Sequence, residues 1–188
     1  MKQYWYEYGP FTVFDVETTG MSPVNDRIVE LAAIRIDPDG SRSVFHSLIH
    51  PGMPIPMRVQ RVHHISDAMV ADAPHFAQIG NRFLTFARNS TLVAHNARFD
   101  LGFLQESLNR CGLQLWKGNT LDTLRLMRQL YPQLASHKLQ SLRETFALPE
   151  PEGTVKAAHR AGADVEWTVE ILRIALESLM KQENVPEL

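Results

Sequence analysis

Cysteine is almost missing from this chain: Cys111 is the only one in 188 residues. An internal disulfide and a thiolate metal centre are therefore excluded, and the composition fits a reducing cytosol. Long apolar runs are missing too, so nothing in the sequence is expected to span a membrane. The start, Met1 to Tyr8, lacks the apolar core of a signal peptide. Neither sign of charge dominates, and a formal charge of −2 excludes a protein that coats nucleic acid by bulk electrostatics. It leaves room for a nucleic-acid enzyme, because an acidic metal site lowers the net charge. There is no internal repeat and no low-complexity tract. These absences leave one soluble, cytoplasmic globular domain over 1–188: an aromatic extension (1–9), a core (10–181) and a short tail (182–188).

What the chain does have begins at Phe11-Thr12-Val13-Phe14-Asp15-Val16-Glu17-Thr18-Thr19-Gly20. β-Branched and aromatic residues open the stretch, and Gly20 and Pro23 close it, which predicts a strand ending in a turn. Alternation puts Phe11, Val13, Asp15 and Glu17 on one face and Thr12, Phe14 and Val16 on the other. Apolar residues on both faces imply a central strand. Two carboxylates side by side at its end repel each other and lose hydration unless a cation sits between them. Hard divalent ions such as Mg²⁺ or Mn²⁺ prefer such oxygens. A solvated strand end is the simpler explanation of a lone D-x-E, so the rest of the chain has to decide.

Arg27 to Ile36 and Ser43 to Ile49, joined through Asp37-Pro38-Asp39-Gly40, complete an antiparallel meander. Pro51 to Pro56 reads as a rigid loop that leads into Arg58, Arg61, His63 and His64. Those residues form either a surface loop or a positive lip for phosphate or sugar. Ser66 is the expected cap of a short helix. A helix after Pro74 carries Phe76, Ile79, Phe83 and Phe86 at helical spacing. Ser90 to His95 is a short buried strand, followed by a helix with Phe99, Phe103, Leu104 and Leu108. Helices are expected from Leu121 to Leu130 and around Leu139, Leu142 and Phe146. In the last helix Val165, Val169, Leu172, Leu176 and Leu179 lie opposite Glu166, Glu170, Arg173, Glu177 and Lys181. A meander followed by alternating strands and helices makes an α/β sheet of mixed direction.

Asp100 falls in the first turn of a helix leaving a buried strand, where a carboxylate also suits the helix dipole. His159 and Asp164 are five apart, roughly 140° around a helix, so one helical face cannot present both. The better placement puts His159 on the preceding loop and Asp164 in the first turns. Such a His has an unperturbed pKa suited to a general base near neutral pH. Four carboxylates from three elements, one loop His and no thiol point to phosphoryl chemistry with two cations. In that chemistry the ions sit roughly 3.5–4 Å apart, one activating water and the other stabilising the leaving oxygen.

Phe14-Asp15-Val16-Glu17-Thr18-Thr19-Gly20, His95-Asn96-Ala97-Arg98-Phe99-Asp100 and His159-Arg160-Ala161-Gly162-Ala163-Asp164 resemble the three exonuclease motifs of the DnaQ-like (DEDDh) family. That family includes the proofreading epsilon subunit of bacterial DNA polymerase III. The resemblance covers roughly residues 10 to 180, and the motifs agree in order and spacing. It implies a ribonuclease H-like fold: a mixed five-stranded sheet, meander first and parallel strands after, flanked by helices. It further implies metal-dependent 3′→5′ removal of nucleoside 5′-monophosphates. By the resemblance Asp15 bridges both Mg²⁺ or Mn²⁺ ions, Glu17 and Asp164 complete the first site, Asp100 serves the second through water, and His159 is the base. Val62-His63-His64-Ile65 is similar to a family segment, Val-His-Gly-Ile, whose His contacts the nucleotide, with His64 standing where Gly is usual. Thr18, Thr19, His63 and Asn96 are the expected substrate contacts, the threonines through backbone N–H groups beside the terminal sugar. Arg58, Arg61, Lys156 and Arg160 either hold the strand's phosphates or are solvated surface.

The expected substrate is single-stranded nucleic acid with a free 3′ end, DNA before RNA. Proofreading beside a polymerase and RNA trimming remain alternatives. A non-catalytic binding module is the reading from another class, and it has no need of Asp15, Glu17, Asp100, His159 and Asp164 together. Only twenty-four residues follow Asp164, too few for a polymerase-docking tail, so a free-standing enzyme without an obligate protein partner is expected. Tyr4, Trp5, Tyr6 and Tyr8 either pack on their own domain or form a homodimer surface.

Overall fold

The computed structural model describes residues 2–151 and 160–183. One sheet organises them, its five strands in the order β3-β2-β1-β4-β5. The strands are β1 (Phe11–Thr18), β2 (Ile28–Ile36), β3 (Arg42–Leu48), β4 (Thr91–Ala94) and β5 (Thr120–Asp122). β1, β2 and β3 pair antiparallel as the predicted meander, whereas β4 runs parallel to β1 and β5 parallel to β4. The helices are α1 (Met57–His63), α2 (Asp67–Val70), α3 (Phe76–Phe86), α4 (Ala97–Arg110), α5 (Thr123–Leu130), α6 (Leu139–Thr145) and α7 (Ala161–Glu183).

β1 lies in the middle because it is apolar on both faces. Phe14 and Val16 join Leu31, Ala33, Ile79, Phe83, Phe103 and Leu104 beneath α3 and α4. Phe11 and Val13 join Ala32, Ile34 and Val93 beneath α7, which contributes Ala161, Val165, Val169 and Leu172. The predicted stripe of α7 is therefore real, but the helix buries a second one. Ile171 and Ala175 pack with Met127 and Leu142 from α5 and α6, and Trp167 is buried as well. Trp5 and Tyr6 pack against the α7 side of the sheet, Trp5 stacking on Phe11, which leaves Tyr4 and Tyr8 exposed.

Two local expectations are corrected. Met57 to His63 is a helix rather than a loop, its first turn closed by the N–H groups of Val59 and Gln60 donating to the Pro56 carbonyl. Leu121 and Asp122 belong to strand β5, and the helix starts two residues later than expected, at Thr123, with the Asp122 carboxylate accepting from Leu124 N–H at 2.9 Å. At the end of α1, His64 takes the left-handed conformation (φ 59°, ψ 23°) that glycine adopts most easily. Ser66 caps α2 as expected.

Candidate active site

The C-terminal end of β1 carries Asp15 and Glu17, and a register irregularity between Glu17 and Thr18 re-aims the chain as it leaves the sheet. The following turn is fixed by Asp26, whose carboxylate accepts from Ser22 N–H at 2.9 Å and from the Thr19 hydroxyl at 3.3 Å. Gly20 is required there, since a Cβ would collide with the Asp26 carboxylate. From α4, Asp100 is nearly sealed from solvent (2 % exposed) and accepts from Val16 N–H at 3.2 Å. From α7, Asp164 sits in the first turn and receives Gln140 Nε2 at 3.4 Å. Carboxylate oxygens of Asp15, Glu17 and Asp164 all lie within 4.8 Å of one another.

The electrostatics are those of a site short of positive charge. Burial, together with Asp100, Glu17 and Asp164, pushes the Asp15 carboxyl well above its ordinary range. Burial and the charges of Asp164, Glu30 and Asp100 raise Glu17 to about 9. Asp100 is raised to about 8, chiefly by burial, with the backbone N–H groups it accepts from opposing the shift. Asp164 is raised by burial to about 7, with Arg143 opposing. Oxygen donors this close either hold protons or share a hard divalent cation, and the donor set suits one.

Glu30, in the middle of β2, shows the opposite behaviour. It is fully buried, and burial alone would raise its pKa, but hydrogen bonds from His46 and Arg160 bring it down to about 2. Arg160 Nη2 reaches its carboxylate at 2.7 Å, His46 Nε2 at 2.8 Å and the Ala161 N–H at 3.1 Å. This clamp fixes the start of α7 and hence the approach of Asp164 to β1.

A family model described as an exonuclease, RNase_T, matches residues 12–172. The chain belongs to this exonuclease family. The match makes it a 3′→5′ exonuclease domain of the DnaQ-like type, with a ribonuclease H-like fold. It is 37 % identical over 179 residues to DNA polymerase III subunit epsilon of Treponema pallidum, covering 94 % of this chain and 81 % of that protein. It is 38 % identical over 173 residues to DNA polymerase III PolC-type of Caldanaerobacter subterraneus subsp. tengcongensis, covering 92 % of this chain but only 12 % of that much longer protein. Among solved structures, Exonuclease X in complex with 5′ overhanging duplex DNA has a TM-score of 0.67 at 25 % identity, over 93 % of this chain and 94 % of that one. E. coli Exonuclease I in complex with a dT13 oligonucleotide shares the fold, with a TM-score of 0.79 at 20 % identity over 93 % of this chain and 42 % of that one. Among the described residues of the domain, no helix is long and apolar enough to cross a membrane.

The exonuclease fold brings Asp15, Glu17 and Asp164 together, with Asp100 hydrogen-bonded to the same strand. His159 and Lys156 lie outside the described residues. His63 is 1 % exposed; its Nδ1 accepts from Ile65 N–H at 3.0 Å, and the Thr18 backbone lies close enough to interact with the ring as well. Thr18 and Thr19 are buried, and the Thr19 N–H already donates to the Arg27 carbonyl at 2.8 Å, so it is not free for a sugar. Asn96 is exposed in the left-handed conformation, with its N–H donating to Asp122 at 3.0 Å. Arg160 is corrected: its guanidinium is committed to Glu30 and is not a phosphate contact. The sequence reading missed Glu30, although a lone charge inside the apolar run Ile28-Val29-Glu30-Leu31-Ala32 was the available signal. It also missed the brace on His95, whose ring meets the Thr123 hydroxyl at 2.9 Å and the His137 carbonyl at 2.8 Å.

Proposed function

We propose that this chain, as a single domain, hydrolyses the terminal phosphodiester at the free 3′ end of single-stranded nucleic acid, DNA before RNA, releasing nucleoside 5′-monophosphates. The observation that carries the reading is the cluster of Asp15, Glu17 and Asp164, with Asp100 beside it, whose raised pKa values mark an unmet need for cations. Asp15, Glu17 and Asp164 would hold one Mg²⁺ or Mn²⁺, and Asp15 and Asp100 would serve a second. Such ions supply positive charge that polarises the phosphodiester and makes water easier to deprotonate.

The protein's own groups do the rest. His159 accepts the proton of the attacking water as its oxygen bonds to phosphorus. The P–O3′ bond breaks, and the departing 3′ oxygen is protonated from solvent. The ring of His63, beside the Thr18 backbone at the end of β1, supports a contact with the terminal nucleotide. Exposed Asn96 stands just before α4, the helix that carries Asp100, and Thr18 and Thr19 shape the turn that follows β1.

All four carboxylates come from one chain, which supports activity as a free-standing enzyme without a protein partner. The DNA polymerase III relatives support a second reading, proofreading beside a polymerase. The deciding experiment incubates 5′-labelled single-stranded DNA and RNA oligomers with Mg²⁺ or Mn²⁺, with and without a polymerase. A ladder shortening from the 3′ end, blocked by a bulky 3′ group, is expected from the chain alone. Rapid cutting of a closed circular strand refutes the reading, and activity only with the polymerase selects the second.

A further inference from the structure

Beside the active site, the first turn of α4 and the outer face of α5 enclose a groove of about 420 Å³. Arg98, Arg125 and Arg128 line it, together with Asn96 and Asp122. Arg125 and Arg128 are three apart on α5 and share a face, and Arg98 faces them from α4. All three arginines are exposed, and among the described residues none of them has a hydrogen-bond or ion-pair partner. That sets them apart from Arg27, Arg35, Arg110, Arg160 and Arg173, whose guanidiniums are bound to protein oxygens. The one carboxylate in the groove, Asp122, is tied to the N–H groups of Asn96 and Leu124. In a chain with a formal charge of −2, the groove is a local positive surface.

Its position joins it to the site. Asn96 stands four residues before Asp100 on α4, about 6 Å along the helix axis. The charge of Asp122 acts on Asp100, and that of Arg128 acts on His95 in the same motif. A strand whose last phosphodiester lies among Asp15, Glu17 and Asp164 has to leave on its 5′ side. A groove of uncommitted guanidiniums offers that path a partner for each phosphate, with no base readout.

We propose that the groove of Arg98, Arg125 and Arg128 binds the phosphodiester backbone of the substrate strand on the 5′ side of the scissile bond. This rests on the exonuclease reading above. The contact is independent of base sequence, and it lets the enzyme keep the strand as each nucleotide is released.

The test is Arg98→Gln/Arg125→Gln/Arg128→Gln in the full chain. It is assayed with Mn²⁺ on a single-stranded DNA 20-mer and on a chromogenic aryl ester of thymidine 5′-monophosphate, which is too short to enter the groove. Hydrolysis of the ester stays within about twofold of wild type. The KM for the 20-mer rises at least tenfold, and the slope of log binding against log salt flattens by about 2, at roughly 0.7 per lost single-strand phosphate contact. The triple lysine variant, which keeps the charge, retains most of the affinity, which separates loss of charge from loss of fold. An unchanged KM and salt slope, with ester hydrolysis intact, overturns the groove while leaving the exonuclease reading in place. A wild-type chain that cleaves neither substrate overturns the exonuclease reading itself, and the groove with it.

Discussion

Glu17 and Glu30 are direct cross-strand partners on β1 and β2, yet the first is held at about 9 and the second at about 2. Like charges opposite each other destabilise a sheet, and the fold resolves the conflict unequally. Arg160 and His46 are both given to Glu30. Glu17 is left to its acidic neighbours, and so to a cation. A glutamate that anchors the fold and one proposed to hold a cation thus sit side by side, distinguished by which basic groups bond to them.

The Glu30–Arg160 pair should be essential to the site without touching substrate. Arg160→Ala leaves a buried carboxylate with one partner fewer, a loss of about 3 kcal/mol by the usual cost of breaking buried pairs. Urea unfolding measures it. Because the pair fixes the start of α7, Mn²⁺ affinity should fall as well, and a variant with unchanged stability and metal affinity would show that the clamp does nothing.

The raised carboxylates predict how stability follows pH. Asp15, Glu17, Asp100 and Asp164 hold protons in the folded state that an unfolded chain gives up near pH 4. Their contribution is full below that pH and is lost as pH rises, through about 7 to 9 for Glu17, Asp100 and Asp164. Glu30 runs the other way: its contribution is present above about pH 4.5 and is lost as pH falls toward about 2. The metal-free protein should therefore lose Tm from pH 5 to pH 9. Mn²⁺ should raise Tm more at pH 8 than at pH 5.5; equal shifts at both would contradict the assignment.

Asp15→Asn removes the carboxylate at the centre of the cluster while keeping its shape. Turnover should fall below detection and stabilisation by Mn²⁺ should largely vanish. The metal-free Tm should hold or rise, because repulsion is relieved. Near-normal activity would end the two-metal reading.

His159→Ala should slow the chemical step by roughly 10²–10⁴-fold, the range for losing a positioned base, while metal binding persists. Single-turnover kinetics beside a metal titration separates the two. An equal loss of metal affinity would make His159 a ligand.

His64 occupies a left-handed position at the end of α1. A side chain there costs roughly 1–2 kcal/mol, and glycine gives back part of that through its greater freedom when unfolded. His64→Gly should thus stabilise by about 0.5–1 kcal/mol, seen as a small rise in Tm. A fall in Tm would mean that the imidazole makes a contact worth more than the strain.

The sequence by itself determined the meander, β4, α3, α4 and the main stripe of α7, because these rest on local alternation, helical spacing and chain breakers. It also placed Asp15, Glu17, Asp100 and Asp164 on strand and helix ends that the fold brings together. β5 was not legible: three residues carry no period, and the strand exists because β4 supplies its hydrogen bonds. The helix at Met57 to His63 was hidden by its exposed basic residues, since its apolar support comes from Val29, Ile55 and Ile65 outside it. The role of Arg160 could not be read from its neighbours, because its partner Glu30 lies 130 residues away. Whether an arginine meets a phosphate or a buried glutamate depends on which strand the folded chain lays beneath it, and only the tertiary structure decides that.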